Sequence, residues 1–244
     1  MSIGKKCRCK NICRAFAQRR KGRRKDAEGF APLRLCAKLI FALVFMAAPV
    51  CAQNDDNPYL LKRGDNEFGF SAGFSPKATT IFGGLHDDEA EDRRFFIAAL
   101  RYGRTLAATN SLALQYILDS VPVAIATGTI VSRTTSPSTF QRETAYGAGL
   151  TPLGLQLDFA NGAKVHPFVH VNGGFLYFNK SVPIEDAGQF AWVGEAGGGV
   201  RIFTSERRAV NIGVRFHHIS NGDRQGSNRG LNQFVIYAGF SIFK

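Results

Sequence analysis

Near its C-terminus the chain reads Phe216-His217-His218-Ile219-Ser220-Asn221-Gly222, and Asn232 follows ten residues later. A histidine two residues before a serine puts both side chains on one face of a β-strand, because side chains alternate with period 2. An imidazole beside a hydroxyl is the minimal pair for ester hydrolysis, since a serine alone is a weak nucleophile and needs an adjacent base. His218 is then the candidate base and Ser220 the candidate nucleophile. Such triplets also arise by chance, so the pair carries weight only in the right structural context. The elements that would have to supply that context are read from the rest of the chain.

The formal net charge of +12 is unevenly spread. Residues 1–52 hold 13 Lys/Arg and 2 Asp/Glu, whereas residues 53–244 hold 18 and 17. The basicity belongs to the N-terminal segment and gives no reason to expect nucleic acid, despite the run Arg19-Arg20-Lys21-Gly22-Arg23-Arg24-Lys25. Behind it lie the ten apolar residues Leu39–Ala48, then Pro49 and Val50-Cys51-Ala52. A basic region, a short apolar region and small residues at its end describe a secretory signal peptide, with cleavage expected after Ala52. The apolar run is too short to span a bilayer as a helix. The expected organisation is a basic leader over 1–52 and one domain over 53–244. All five cysteines (Cys7, Cys9, Cys13, Cys36, Cys51) precede that cut. The cluster Cys7-x-Cys9-x3-Cys13 lacks the histidine or second cysteine pair that would complete a zinc site, so no metal and no other cofactor is expected.

After residue 52 there are eight segments of about ten residues, rich in Phe, Tyr, Leu, Val, Gly and Ala. They are Glu67–Ser75, Arg94–Arg104, Ser111–Asp119, Thr144–Asp158, His166–Phe178, Phe190–Phe203, Arg208–His218 and Asn232–Phe243. Their length suits a strand that crosses a bilayer. The connections alternate, long at 76–93, 120–143, 179–189 and 219–231, short at 105–110, 159–165 and 204–207. Long external loops and short periplasmic turns are the pattern of an outer-membrane barrel. The alternation within segments agrees. Val210, Ile212, Val214 and Phe216 interleave with Asn211, Gly213, Arg215 and His217; Phe234, Ile236 and Phe240 interleave with Gln233, Gly239 and Ser241. A soluble carrier barrel would turn its apolar face inward. The predicted fold is therefore all-β, an eight-stranded antiparallel transmembrane β-barrel of the outer-membrane type. Its interior is just filled by side chains, with Arg101, Glu195, Arg201 and Arg215 forming a polar network inside.

On this pattern His218 and Ser220 continue the outward column of their strand, and Asn232 continues that of the next. All three face lipid at the end of a long loop, while His217 points inward. Polar groups facing hydrocarbon are costly. An enzyme whose substrate ester lies at the headgroup–acyl boundary accounts for them.

The pattern His218-x-Ser220-Asn221, with Asn228 downstream on an eight-stranded barrel, resembles the outer-membrane lipid A 3-O-deacylases. The resemblance implies that His218 is the general base and Ser220 the nucleophile. It also implies that Asn221, Asn228 and the backbone near Gly222 stabilise the oxyanion, and that the substrate is the acyl ester at the 3-position of lipid A. At position 232 the chain departs from that family's pattern, which has a glutamate to orient the histidine where this chain has Asn232. His-x-Ser-Asn-Gly with an asparagine at this spacing also resembles outer-membrane phospholipase A, which is built on a larger barrel. Asn232 can hold the imidazole tautomer by accepting its N–H, and Asn232→Glu is expected to preserve or raise activity. Asp223, Arg224 and Arg229 are candidate contacts for a headgroup phosphate. The implied partners are lipid A, lipopolysaccharide or another membrane lipid, and the outer membrane itself; a homodimer is compatible with these. A phospholipase A-like esterase and a non-catalytic structural barrel are the alternatives.

Overall fold

The computed structural model describes residues 57–85, 92–132, 139–226 and 228–244. The basic leader with its cysteine cluster, and residues 86–91 of the acidic stretch, lie outside the described residues. The strands are β1 (Asn66–Ser75), β2 (Ala78–Thr79), β3 (Arg94–Ala108), β4 (Leu112–Ser132), β5 (Thr139–Phe159), β6 (Val165–Phe178), β7 (Phe190–Ser205), β8 (Arg208–Ser220) and β9 (Leu231–Phe243). The eight long strands pair antiparallel with their neighbours, and β1 pairs with β9 to close the barrel. The two-residue β2 adds to the loop end of β9 beyond the point where β1 leaves it, with Ala78 opposite Gln233 and Thr79 opposite Asn232.

One connection differs from the sequence-based expectation. Residues 120–143 were expected as a loop, yet β4 continues to Ser132 and β5 begins at Thr139. The pairs from Gly128–Glu143 to Ser132–Thr139 extend past Arg94–Thr127, the last pair of β3 with β4. The Val, Ile and Thr residues between Val121 and Val131 favour a pleated backbone. They outweigh the Ser/Thr/Pro-rich stretch that follows, which shrinks to the connection 133–138.

The alternation of apolar and polar residues sorts the two faces as expected. Leu153 is 75% exposed and Ile236 64%, and Phe70, Leu100, Val171 and Val214 join them on the outer wall. A continuous apolar surface of this extent is untenable in water and is what a bilayer requires of a barrel. Inside, three layers stack. At the turn end Leu61, Ala113, Phe203, Ala209 and Phe243 pack together. The Asn161 side chain clamps Leu61 there, accepting from its N–H at 2.9 Å and donating to its carbonyl at 2.9 Å. The middle layer is ionic. Arg201 Nη2 lies 2.7 Å from Glu67 Oε2, and Nη1 lies 2.7 Å from Asp158 Oδ1. Arg101 grips both oxygens of Asp119 at 2.7 and 2.8 Å, and Arg215 sits 3.4 Å from Glu195. Charges removed from water must be paired in this way or cost several kcal/mol each. At the loop end Val182, Ile184 and Ala187 pack against Val121, Leu176, Phe178, Ile219 and Leu231. Side chains of these three layers occupy the lumen from the turn end to the loop end.

Candidate active site at the loop end of the outer wall

His218 lies near the loop end of β8, opposite Gly194 on β7 and Asn232 on β9. Ser220 ends the strand, opposite Trp192. Both are half-buried, on the face shared with Phe216 and Val214. His218 Nδ1 is 2.5 Å from Asn232 Oδ1. The Asn232 amide donates to the carbonyls of Ile81 at 3.0 Å and Gly83 at 2.6 Å. Both its N–H groups are thereby committed, and only its oxygen remains for the histidine. An oxygen in that place calls for a donor at Nδ1, and a neutral imidazole that donates from Nδ1 has its lone pair at Nε2.

Asn232 belongs to the outward column of Phe234 and Ile236, yet it is only 2% exposed. The cover is β2 and the turn after it. In that turn the Gly83 N–H donates to the Thr80 carbonyl at 3.1 Å, and the Ile81 N–H donates to Thr79 Oγ1 at 3.3 Å. Phe82, with φ of 66°, lays its ring edge-on to Phe216 at 5.4 Å between centroids. The approach is close. A Cβ on Gly84 would stand 2.4 Å from the Gly230 carbonyl oxygen and 3.2 Å from Asn232 Nδ2. A Cβ on Gly230 would stand 2.6 Å from Cε1 of His218, so the ring rests on bare backbone.

Among the described residues no hydrogen bond links Ser220 to His218, which stand two positions apart on one face of β8. Gly222, with φ of 65°, passes so near Trp192 that a Cβ would meet Cδ1 at 2.9 Å. Asn221 departs from the sequence-based expectation of a side-chain oxyanion donor. It is buried, its amide donates to the Ala187 carbonyl at 3.0 Å, and its Oδ1 accepts the Asp223 N–H at 3.0 Å. The residue after Ser220 falls on the inner face by strand alternation, so this side chain fastens the loop to segment 179–189 instead of facing Ser220. Asn228 is exposed in the same loop, as are Gly222, Asp223 and Arg224, while Arg229 is half-buried. The Arg224 guanidinium sits 5.1 Å over the Phe190 ring.

Beside Ser220 the outer wall is aromatic. Phe175 stacks on Phe190 at 5.8 Å, Phe190 meets Trp192 edge-on at 5.1 Å, and the Tyr177 hydroxyl donates to Gln189 at 2.6 Å. Rings with one apolar body and one polar tip mark the membrane–water interface, and Ser220 stands at their level. Beside His218 the wall is bare: a Cβ on Gly194 would meet no atom within 4 Å.

His218, Ser220 and Asn232 share the parity that places them on one face. The turn over Asn232 has no such signature in the sequence, because its contribution is made by carbonyls that every residue possesses. The pair Gly83-Gly84 was the one local signal of an unusual turn there.

Residues 123–241 match the family model described as lipid A 3-O-deacylase (PagL). No curated protein matches the chain. Among solved structures, the outer membrane enzyme PagL is 14% identical, over 71% of this chain and 97% of its own, with a TM-score of 0.44. Neisserial surface protein A (NspA) is 12% identical over 73% and 96%, with a TM-score of 0.43. The outer membrane protein OprG from Pseudomonas aeruginosa is 12% identical over 76% and 98%, also with a TM-score of 0.43. At these identities the structural likenesses bear on no functional detail. The family match is independent of them and spans the strands that carry His218, Ser220 and Asn232: over residues 123–241 the chain resembles the lipid A 3-O-deacylase (PagL) family, and the protein is a lipid A deacylase-like outer-membrane barrel.

Proposed function

We propose that the protein hydrolyses the ester-linked acyl chain at the 3-position of lipid A, with Ser220 as nucleophile, His218 as general base and Asn232 as the residue that orients the base. The observation that carries this is the 2.5 Å contact of His218 Nδ1 with an Asn232 oxygen whose amide is pinned on its other side. It leaves Nε2 free to take the Ser220 proton as Oγ attacks the ester carbonyl. Asn228 and backbone N–H groups near Gly222 are the proposed oxyanion donors, each worth about 3–4 kcal/mol in sites of this kind. On collapse the carbon–oxygen bond to the sugar breaks and His218 gives its proton to the departing sugar oxygen, which leaves as a hydroxyl. It then deprotonates a water that releases the fatty acid from Ser220. The open wall at Gly194 gives the acyl chain room beside the base. Asp223, Arg224 and Arg229 border the same loop and are the proposed contacts for the phosphorylated headgroup.

A second reading, hydrolysis of diacyl phospholipid, is favoured by one observation, the asparagine at position 232. The purified barrel, incubated separately with lipid A and with phospholipid, distinguishes the two when released fatty acid is followed by mass spectrometry. Release from lipid A alone supports the first reading, release from phospholipid alone the second. No release from either leaves a non-catalytic barrel. We further propose that residues 1–52 are a leader removed on export; intact-mass measurement of the membrane-inserted protein, with Gln53 expected as its first residue, tests this.

A further inference from the structure

We propose, resting on the assignment of His218 as base, that the turn Thr80–Gly84 is a positioning element of the site. Its Ile81 and Gly83 carbonyls hold the Asn232 amide in one orientation and so keep the His218 proton on Nδ1.

An orienting carboxylate has two equivalent oxygens and needs no such device. An amide has two unlike ends. If its NH2 faced the ring, Nδ1 would have to accept, the proton would sit on Nε2, and the base could not take a proton from Ser220. The wrong tautomer is what disables a serine protease triad whose Asp is replaced by Asn, at about 10⁴ in turnover. Here the turn removes the ambiguity. Rotating the amide by half a turn would bring Oδ1 against two carbonyl oxygens and break both donated hydrogen bonds, in a place that is 2% exposed. The partners lie 151 and 149 positions away in sequence. They are brought there by the pairing of Ala78 and Thr79 with β9, by the buried side chains of Ala78 and Leu85, and by the Phe82 ring against Phe216.

The test displaces the turn without substituting His218, Ser220 or Asn232. In Gly84→Ala the new methyl meets the Gly230 carbonyl at 2.4 Å, on a backbone with φ of +104°, so the turn must lift away. Two measurements follow on the full folded barrel in micelles. The first is the pair of imidazole 15N shifts of His218, identified by difference from His218→Ala. Wild type is expected to show a protonated Nδ1 and an unprotonated Nε2, and Gly84→Ala a shift toward the other tautomer. The second is a double-mutant cycle. Losing one orienting hydrogen bond is expected to lower kcat about tenfold, with KM within about twofold. In an Asn232→Ala background Gly84→Ala is expected to cause no further loss. Should Gly84→Ala fail to insert as a barrel, Phe82→Ala loosens the same turn with the backbone intact and is put through the same cycle. An unchanged His218 tautomer, together with equal losses in both backgrounds, would overturn the proposal. If wild type hydrolyses no ester, the assigned activity fails, but the 15N shifts still decide whether the turn sets the tautomer.

Discussion

A carboxylate at position 232 is expected to be worse than the native amide, the reverse of what the sequence alone suggested. In Asn232→Asp one oxygen keeps the contact with His218 Nδ1. The other replaces an NH2 that now donates at 3.0 and 2.6 Å to two carbonyls. Each lost hydrogen bond is worth about 1 kcal/mol net, more where the abandoned partner stays out of water. The two together cost at least about 2 kcal/mol, before the repulsion between a carboxylate and two carbonyl oxygens. Against this stands the attraction of the carboxylate for the imidazolium that forms in the transition state. In the protease comparison most of the benefit of Asp over Asn comes from the correct tautomer, and here the pinned amide already secures it. The expected net is a fall in kcat of about 30-fold, the equivalent of about 2 kcal/mol. Asn232→Glu should fall further, because it adds a methylene to a covered site. Fatty-acid release from lipid A is timed for wild type, Asp, Glu and Ala at position 232, with heat-modifiability on gels as the check that each barrel is folded. A carboxylate variant as fast as wild type, with its barrel intact, would refute the reasoning.

Ser220→Ala and His218→Ala should each remove hydrolysis while leaving the barrel heat-modifiable, whereas His217→Ala should retain it, because its ring is buried against Phe95 at 4.8 Å; loss of activity in His217→Ala alone would mean the base is misassigned. Gly194→Phe fills the open wall beside His218 and should raise KM for long acyl chains more than for short ones, measured with a chain-length series. Arg201→Met leaves Glu67 and Asp158 buried without their cation and should destabilise the barrel by about 3–5 kcal/mol, read as an earlier midpoint in urea unfolding from detergent; adding Glu67→Gln and Asp158→Asn should recover part of it.

Much of this protein was legible in order along the chain. A bilayer on one side and a filled lumen on the other impose a strict two-residue alternation, and Val210 to Phe216 and Phe234 to Phe240 carry it plainly. The same alternation placed His218 and Ser220 outside and His217 inside, because a strand allows no third direction. The same alternation turns Asn221 inward, away from the oxyanion role that the family resemblance implies for it. The long hairpin of β4 and β5 was obscured by the Ser/Thr/Pro-rich stretch beyond Val131, which reads as a loop although the Val, Ile and Thr residues before it favour a strand. What the tertiary structure alone decided is the identity of the atom that Asn232 offers to His218. An amide in a linear sequence has no orientation. It acquires one only when the closing strand β9 meets β2, and two backbone carbonyls from 151 and 149 positions earlier in the chain accept its N–H groups.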